Sequence, residues 1–304
     1  MEQKTITLNN GVEMPLLGYG VYQVSPDEAE RCVADALSVG YRMIDTAQIY
    51  QNEAGVGSAV KKSGLSRDEV FIVDKIWISN FEGDAPKRSL DESLRLLGTD
   101  YIDLYFYHSP DPNTPIEETL SALDQLVRDG KVRYLGHSNF SGWQLAHAEH
   151  CAHELGTERF IAAENHYNLL DRRAELEILP AAQHFGMGVL PYFPLANGLL
   201  TGKYRRDNIP AGSRLSHSKK NVLDAANWDQ LEAFHTFCTE RGITEVQAAF
   251  SWLAQQSPVT SVIAGATSAE QVRANAQAAC LRFDAEDLAA LDAIFPAPEK
   301  IALF

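Results

Sequence analysis

The chain has 304 residues, of which 45% are hydrophobic and 22% charged, and its formal net charge is −15. Such an acidic surface repels nucleic acid and anionic membranes, so neither is expected as a partner. The four cysteines are scattered and form no CxxC pair, which predicts a reducing compartment without a disulfide framework. The N-terminal stretch lacks an apolar signal core and no 18-residue apolar run occurs, so we expect a cytoplasmic protein without a membrane span.

The predicted elements form a hairpin followed by alternating strands and helices. TITLNNGVEM, with its Asn-Gly pair, predicts the hairpin. Apolar runs predict eight strands over 16–20, 41–45, 70–75, 101–108, 131–137, 160–165, 187–193 and 261–265. Helices are predicted over 27–39, 53–63, 84–97, 116–129, 141–154, 172–185, 225–241, 244–255, 268–279 and 284–294. The stretch before residue 225 contains a long loop, 205–221.

Eight strand–helix units predict a closed (β/α)8 TIM barrel with an N-terminal β-hairpin and extra helices near the C-terminus. We expect residues 1–304 to form one such domain, because the strands are apolar on both faces, as buried parallel strands are. A Rossmann fold is disfavoured. Gly55-x-Gly57 and Gly186-x-Gly188 lack the third glycine, and Gly55 lies in a helical stretch.

Three successive predicted strands end on polar residues: Asp45, Lys75 and His108. The active site of a (β/α)8 barrel lies at these strand ends, so the three side chains are expected in one mouth. Tyr50 follows in the loop after the second of the eight strands. Each residue alone has an ordinary explanation, such as a helix cap, a solvated lysine or a core histidine. Together they predict a functional site.

The chemistry of these four residues is complementary. An ammonium group lowers the pKa of a nearby phenol from its usual value near 10, and a carboxylate holds that ammonium in place. Asp45, Lys75 and Tyr50 therefore predict a general acid. His108 is predicted to be a neutral donor that orients a carbonyl oxygen. Beside a hydride source, such a donor pair would reduce a carbonyl group.

The sequence resembles the aldo-keto reductase superfamily over nearly its whole length. The matching stretches are GYRMIDTAQIYQNEAGVG, FIVDKIW, DYIDLYFYHSP, VRYLGHSNFSGWQL, LPYFPLANGLLTGKY and VIAGATSAEQVRAN. The front half resembles the diketogluconate-reductase branch, and the second half resembles the branch that includes potassium-channel β-subunits. The resemblance implies that Asp45, Tyr50, Lys75 and His108 are the catalytic tetrad. It also implies NAD(P)H-dependent reduction of an aldehyde or ketone to an alcohol.

The resemblance also implies a set of cofactor-binding residues. They are Gly20, Val21, Asp45, Ser138, Asn139, Glu164, Tyr192, Phe193, Pro194, Leu195, Gly198, Lys203, Arg214, Gly265, Thr267, Ser268, Gln271 and Asn275. Ser138 and Asn139 would hold the carboxamide, and Tyr192 would stack on the nicotinamide. Glu164 stands where the family has glutamine, and it can donate to the carboxamide oxygen only when protonated.

The choice of cofactor depends on the adenosine end and the long loop. Ser268 stands where relatives that select the 2′-phosphate often have a basic residue, and Arg273 should face elsewhere. The family's habit still favours NADP(H), with NAD(H) as the alternative. The loop RRDNIPAGSRLSHSKKN, residues 205–221, holds five basic residues. It predicts either a solvated surface loop or a flap that grips the cofactor pyrophosphate.

The substrate pocket is predicted to be lined by Tyr22, Trp77, His108 and Ser109. Ser109 replaces the tryptophan that the family often has after this histidine, so the pocket should be wider or more polar. The short tail after Pro296 favours small or polar carbonyls, because it cannot form a long lid. The sequence does not indicate the oligomeric state, and we slightly favour a monomer.

Two alternatives to a reductase are considered. The first is a nicotinamide-binding regulatory partner with little turnover, which the likeness to channel β-subunits suggests. The second is a metal-dependent hydrolase, which is disfavoured because no HxH ends the first barrel strand. HAEHCAHE, residues 147–154, contains metal-ligand side chains. Its helix belongs to the outer ring, so no metal site is predicted.

Overall fold

The structure is a computed structural model that describes residues 5–8, 11–81 and 83–299. Within these residues the strands are β1 (Thr5–Thr7), β2 (Glu13–Pro15), β3 (Leu17–Gly20), β4 (Met43–Asp45), β5 (Phe71–Ile76), β6 (Ile102–Tyr107), β7 (Val132–Ser138), β8 (Phe160–His166), β9 (Gly188–Tyr192) and β10 (Val262–Ala264). The α-helices are α1 (Pro26–Ser38), α2 (Glu53–Lys62), α3 (Ala85–Leu97), α4 (Ile116–Arg128), α5 (Gly142–Leu155), α6 (Ile178–Phe185), α7 (Arg214–His217), α8 (Lys220–Asp224), α9 (Trp228–Glu240), α10 (Glu245–Gln255), α11 (Ala269–Ala276) and α12 (Ala285–Ile294).

Strands β3 to β10 form one parallel sheet in the order β10-β3-β4-β5-β6-β7-β8-β9. The two ends of this sheet approach each other beside β9. The amide of Val189 donates to the Pro258 carbonyl at 3.0 Å, and the Val189 carbonyl accepts from the amide of Thr260 at 2.9 Å. These bonds nearly close the ring, so the predicted (β/α)8 barrel is confirmed.

The predicted hairpin is also confirmed, because β1 pairs with β2 in antiparallel register. Leu8 and Met14 from the hairpin segment belong to the same buried cluster as Met43, Val73 and Phe106 from the barrel strands. Leu8 also lies against Gly188, at the start of β9. The hairpin therefore covers the end of the barrel at which the strands begin. The carboxyl ends of the strands are left as the mouth.

Two parts of the helical layer differ from the predictions. The helix predicted over 172–185 begins at Ile178, and only a short 3-10 turn precedes it. Pro180 explains the late start, because proline lacks an N–H and is tolerated only in the first turn of a helix. The long loop contains two short helices, α7 and α8. Helices α9 and α10, which precede the last barrel strand, and α12, which follows it, are the extra helices expected near the C-terminus.

Two expectations from the sequence concern a membrane span and the C-terminal tail. Among the described residues, no helix combines the length and the apolar character needed to cross a bilayer. The last residues of the tail, on which the expectation of a small or polar substrate partly relied, lie outside the described residues.

Candidate active site

A buried ion-pair group forms the floor of the barrel mouth. Lys75, near the mouth end of β5, is 1% exposed. Its Nζ lies 2.5 Å from Asp45 Oδ2 and 3.3 Å from Glu164 Oε2. It also donates to the Thr46 carbonyl at 3.0 Å. Strand β5 brings Lys75 to the mouth because alternate residues of a strand face the barrel interior. One ammonium group therefore faces two carboxyl groups.

The charges of this group follow from burial and proximity. Burial alone would lower the pKa of Lys75, but Asp45 and Glu164 together raise it above its usual value, so the ammonium persists. Burial and then the charge of Asp45 raise the pKa of Glu164 to about 8, with Lys75 opposing them. Glu164 therefore keeps its proton at neutral pH. A protonated carboxyl donates one hydrogen bond, as the amide of glutamine does.

Tyr50 stands above this group on a short 3-10 helix, Gln48–Tyr50, that directly follows the β4 loop. The Nζ of Lys75 lies 5.5 Å from the centroid of the Tyr50 ring. Burial raises the pKa of Tyr50, and although Lys75 lowers it, the net shift is upward. The expected net lowering is therefore wrong, because loss of water around the phenol outweighs the ammonium charge. The side chain is held as a neutral phenol, which is the form that can donate a proton.

His108 completes the mouth at the end of β6. Burial and the charge of Lys75 lower its pKa to about 3, so the imidazole is neutral. Its ring lies 5.9 Å from that of Tyr50 and 5.2 Å from that of Trp77, centroid to centroid. Its Nδ1 is buried without a hydrogen-bond partner among the described residues. Tyr22 is 47% exposed and lies 5.2 Å from Tyr50, so it extends the rim.

Ser138 and Asn139 lie at the mouth end of β7, beside the group around Lys75. Ser138 Oγ donates to the Glu164 carbonyl at 2.9 Å. Asn139 Oδ1 accepts from the Tyr192 hydroxyl at 2.8 Å. The Tyr192 ring stacks on His166 at 5.4 Å, with the planes 8° apart. These contacts hold two polar side chains and one flat aromatic face in one wall of the mouth.

The long loop after β9 reaches across the mouth end of β10. The guanidinium of Arg214 donates to Gln23, which lies in the loop after β3. Lys219 Nζ donates to Asn197 at 3.0 Å and lies 5.2 Å from the Phe193 ring. Gln23 and Lys219 were not singled out in the sequence. Only the basic composition of residues 205–221 could have indicated Lys219.

The other basic residues of this loop have different surroundings. Arg205 pairs with Glu245 at 3.0 Å, and Arg206 pairs with acids in the first turns of α9. These two arginines face the outer helices. Lys203, which lies just before this loop, is exposed, with Nζ 5.0 Å from the Tyr204 ring. Within the basic loop, Arg214 and Lys219 contact segments that border the mouth.

The residues predicted for the adenosine end cluster where β10 leads into α11. Ser268 caps this helix, accepting from the Gln271 amide at 3.2 Å. A Cβ on Gly265 would lie 2.9 Å from the Gly20 carbonyl oxygen, so the two backbones approach too closely for a side chain there. Arg31, from α1, donates to the Thr267 carbonyl at 3.2 Å. Sequence reasoning missed Arg31, because it precedes this segment by more than two hundred residues.

The remaining predicted residues lie in or next to these segments. They are Val21 and Pro194, which are buried, Leu195 and Ser109, which are partly buried, Gly198, which has a φ of +105°, and Asn275, which is buried in α11.

The fold and the mouth together define a parallel (β/α)8 barrel whose strand ends bring a phenol, an ammonium, an imidazole and a carboxylate together. Residues 16–295 match the family described as "Aldo/keto reductase family", and the chain belongs to this family. It is accordingly an oxidoreductase, from a family that uses nicotinamide cofactors to act on small carbonyl substrates.

Known proteins resemble the chain over most of its length. An oxidoreductase of Bacillus subtilis named YrpG, itself uncharacterized, is 36% identical and covers 93% of this chain and 92% of its own. A rice protein named "Probable voltage-gated potassium channel subunit beta" is 32% identical, covering 88% of each chain. A solved structure provisionally named 2,5-diketo-D-gluconic acid reductase B is 29% identical. It superposes with a TM-score of 0.78 over 99% of this chain and 98% of its own.

Proposed function

We propose that the protein reduces an aldehyde or ketone to an alcohol, reversibly, with NADPH preferred over NADH. A bound nicotinamide cofactor would supply the hydride. The observation that supports the proposal is the position of Lys75, 2.5 Å from Asp45 and directly below the ring of Tyr50. This arrangement holds a neutral phenol above a fixed positive charge, which supports a role in proton donation.

Tyr50 is the proposed proton donor. As a carbonyl is reduced, negative charge develops on its oxygen, and a hydrogen bond from the phenol strengthens at the same time. When the proton leaves Tyr50, the phenolate faces the ammonium of Lys75, which stabilises it. Asp45 fixes the position of that ammonium. The raised pKa of Tyr50 keeps the proton in place until this charge develops.

His108 is the proposed orienting residue. With a pKa near 3, its imidazole stays neutral throughout the physiological range. A neutral imidazole donates one hydrogen bond, so it can hold the substrate oxygen beside Tyr50 without competing as an acid. Trp77, Tyr22 and Ser109 would line the space in which the rest of the substrate lies.

The residues beside the tetrad fit a nicotinamide dinucleotide. The carboxyl group of Glu164 is buried, and Lys75 Nζ, at 3.3 Å from Oε2, does not use all of its hydrogen-bonding capacity, so it can also bind the carboxamide. Ser138 and Asn139 would provide further carboxamide contacts, and the free face of Tyr192 would stack on the ring. The backbone around Gly20, with Val21, Phe193, Pro194 and Leu195, would line the cleft.

The outer part of the cofactor would lie under the long loop. Gly198, Lys203 and Arg214 would contact the pyrophosphate, because a glycine and two cations suit close approach by an anion. Thr267, Ser268, Gln271 and Asn275 would contact the adenosine end at the start of α11. Arg31 supports NADPH over NADH, since it places a guanidinium beside Thr267. It also pairs with Glu28 and Asp35, which reduces its available charge.

A Tyr50→Phe variant tests this mechanism. Removing the phenolic proton should lower kcat by at least about 10²-fold, the lower end of the contribution from general acid catalysis. NADPH binding should stay unchanged. Tyr134→Phe is the matched control, because Tyr134 lies near the opposite end of β7. Turnover of a panel of aldehydes and ketones should be measured with NADPH and with NADH. Reduction at the parent rate by Tyr50→Phe would overturn the assignment.

A second candidate function follows from the similarity to the rice protein. Its name indicates a channel subunit, and the chain could bind a nicotinamide cofactor with little turnover as a regulatory partner. Two measurements separate the alternatives: cofactor affinity by fluorescence, and steady-state NADPH oxidation with the same panel. Tight cofactor binding without turnover of any carbonyl would favour the regulatory role.

A further inference from the structure

We propose that Glu117, His147 and Cys151 form a binding site for a divalent ion of the zinc class on the outer face of the helical ring. His147 and Cys151 lie one turn apart on α5, so they share a face. Glu117 lies in the first turn of the neighbouring helix α4. The ligand atoms of the three side chains all lie within 4.8 Å of one another.

Two of the three separations match those around a tetrahedral metal ion, and the third, between His147 and Glu117, is within 4.8 Å. Cys151 Sγ lies 3.5 Å from His147 Nε2 and 3.6 Å from Glu117 Oε1. A tetrahedral zinc ion binds sulfur at about 2.3 Å and nitrogen or oxygen at about 2.0–2.2 Å, which places such ligand pairs about 3.5–3.7 Å apart. Cys151 could therefore share an ion with either partner without moving, and His147 and Glu117, both exposed, can adjust their separation to the same ion.

The donor types select the class of metal. Thiolate and imidazole favour zinc over magnesium or calcium, which prefer oxygen ligands alone. Three protein ligands leave a fourth tetrahedral position for water or an external group. The carboxylate of Glu117 offsets part of the ion's charge, and the chain's net charge of −15 attracts cations in general.

The three ligands of the proposed metal site differ in their exposure to solvent. Cys151 is 6% exposed, whereas Glu117 and His147 are exposed, so an ion can enter from solvent. Burial, and then the charge of Glu117, raise the pKa of the Cys151 thiol. A bound cation reverses that effect by stabilising the thiolate, so metal binding would release a proton.

The sequence motif HAEHCAHE drew attention to this helix but could not complete the site. The helix does lie in the outer ring, which is why no metal was predicted there. The third ligand comes from α4, thirty residues before His147, and only the packing of α4 against α5 brings it within reach. Of the remaining histidines in the motif, His150 and His153 are exposed and do not belong to this group.

The first test is a metal titration of the full chain. Cys280 is exposed and would bind metal or oxidise, so the parent protein for the experiment carries Cys280→Ser. After chelation and dialysis, Co²⁺ is added, because a cobalt–thiolate bond gives a near-ultraviolet charge-transfer band. We expect one equivalent of Co²⁺, displaced by Zn²⁺. Quenching of Trp143 should accompany binding, since its ring lies 6.3 Å from that of His147. The absence of a thiolate band would overturn the proposal.

Variants distinguish the site from general binding to surface histidines. Cys151→Ser should abolish the thiolate band, and His147→Ala and Glu117→Gln should weaken Co²⁺ binding. Loss of a contact that merely supports a ligand already costs about 10–100-fold in affinity, so loss of a ligand should cost at least about tenfold. His150→Ala is the matched control on the same helix and should bind like the parent. Equal losses in His150→Ala and His147→Ala would reject the site.

A stability measurement gives an independent readout. An ion that binds only the folded protein raises the melting temperature in proportion to the logarithm of its concentration above Kd. Zn²⁺ should therefore stabilise the parent and His150→Ala, but not Cys151→Ser. Equal stabilisation of Cys151→Ser would show that zinc acts elsewhere and would reject the proposal. Carbonyl reduction is not part of this readout, so its outcome does not depend on the proposed enzymatic function.

Discussion

Two groups of buried acids lie on opposite faces of strand β5, and their electrostatics differ. On the inner face, Lys75 contacts Asp45 and Glu164. On the outer face, the preceding residue, Asp74, is fully buried beside Glu53, and Ser93 and the Lys75 amide are its other polar neighbours. Successive strand residues point to opposite sides, so one strand serves both groups. The inner group is built around a cation, and the outer group keeps its charge low by holding protons.

The outer group is held neutral by its surroundings. Burial and then the charge of Glu53 raise the pKa of Asp74 well above its usual value. Burial likewise raises the pKa of Glu53. A cavity of about 540 Å³ between α2 and α3 is lined in part by Glu53. Of the Asp74–Glu53 pair, Glu53 is therefore the residue that can contact water. The comparison shows that a buried carboxyl needs either a cation or a proton, and the barrel uses both solutions on adjacent residues.

The largest effect is expected from removing the cation of the inner group. Lys75→Met leaves Asp45 and Glu164 buried without a positive charge. Removing one partner of a buried ion pair typically costs about 3–5 kcal/mol, so the free energy of unfolding should fall by this order, and reduction should be nearly lost. Urea denaturation and steady-state turnover measure the two effects. Adding Asp45→Asn should recover part of the stability. Equal losses in the single and double variants would contradict the pairing.

The next effect concerns the proton on Glu164. Its pKa of about 8 lies above the usual value, so the folded protein holds a proton that it loses as pH rises through 8. Above that pH the inner group gains a negative charge and Glu164 stops donating. If the protonated form is the one that binds the carboxamide, kcat/KM should fall about tenfold per pH unit there. Glu164→Gln should remove this decline.

The control for this comparison is an exposed acid. Glu286→Gln, on α12, should keep the decline of the parent. The raised pKa of Glu164 also determines how its contribution to stability changes with pH. Because the folded state retains the proton between the unfolded pKa near 4.3 and about 8, the contribution of Glu164 to stability falls as pH rises through that window. A pH profile of the Glu164→Gln variant that matches the parent would show that this carboxyl does not titrate in the mouth.

A smaller effect, of opposite sign, is expected on the outer face. Asp74→Asn removes a carboxyl group whose ionisation is unfavourable because the group is buried. The amide that replaces the carboxyl can donate a hydrogen bond to Glu53. The raised pKa of Asp74 means that its contribution to stability falls with rising pH above the unfolded value. The variant should therefore gain stability relative to the parent as pH rises from 4 to 8, and should be the more stable of the two at pH 8. Urea midpoints at both pH values check this. Destabilisation at pH 8 would mean that the hydrogen bonds of Asp74 to its polar neighbours stabilise the fold by more than burial of the carboxyl costs.

Sequence patterns predicted the inner group far better than the outer one. Asp45, Lys75 and His108 each end an apolar run, and a parallel barrel brings all such ends into one mouth. Asp74 lies inside the run VFIVDK, where nothing indicates that its side chain lies beside Glu53 of the preceding helix, α2. The sign of the Tyr50 shift was also unpredictable, because it depends on how far burial exceeds the Lys75 charge. Such balances between distant residues need coordinates.

The smallest effect is expected at Gln48, which links the two faces. Its Nε2 donates to Ser93 at 3.1 Å and to the Tyr105 hydroxyl at 2.9 Å, on the outer side. Its own 3-10 turn ends at Tyr50, so these bonds anchor the segment that positions the proposed proton donor. Gln48→Ala should leave the ionisation of Glu164 unchanged but should loosen the position of Tyr50. Since a misplacement of about 1 Å can cost about 10²-fold in rate, a partial loosening should lower kcat by about tenfold or less.

Glu92→Gln, on the rim of the same cavity, is the matched control for Gln48→Ala, because it changes the outer cavity without touching the Tyr50 segment. Cofactor affinity and the pH profile should be those of the parent in both variants. If Gln48→Ala lowers kcat while the Glu164 ionisation near pH 8 stays in place, the outer face affects catalysis through the position of Tyr50. A shift of that ionisation would instead show that the two acid groups are coupled electrostatically across β5.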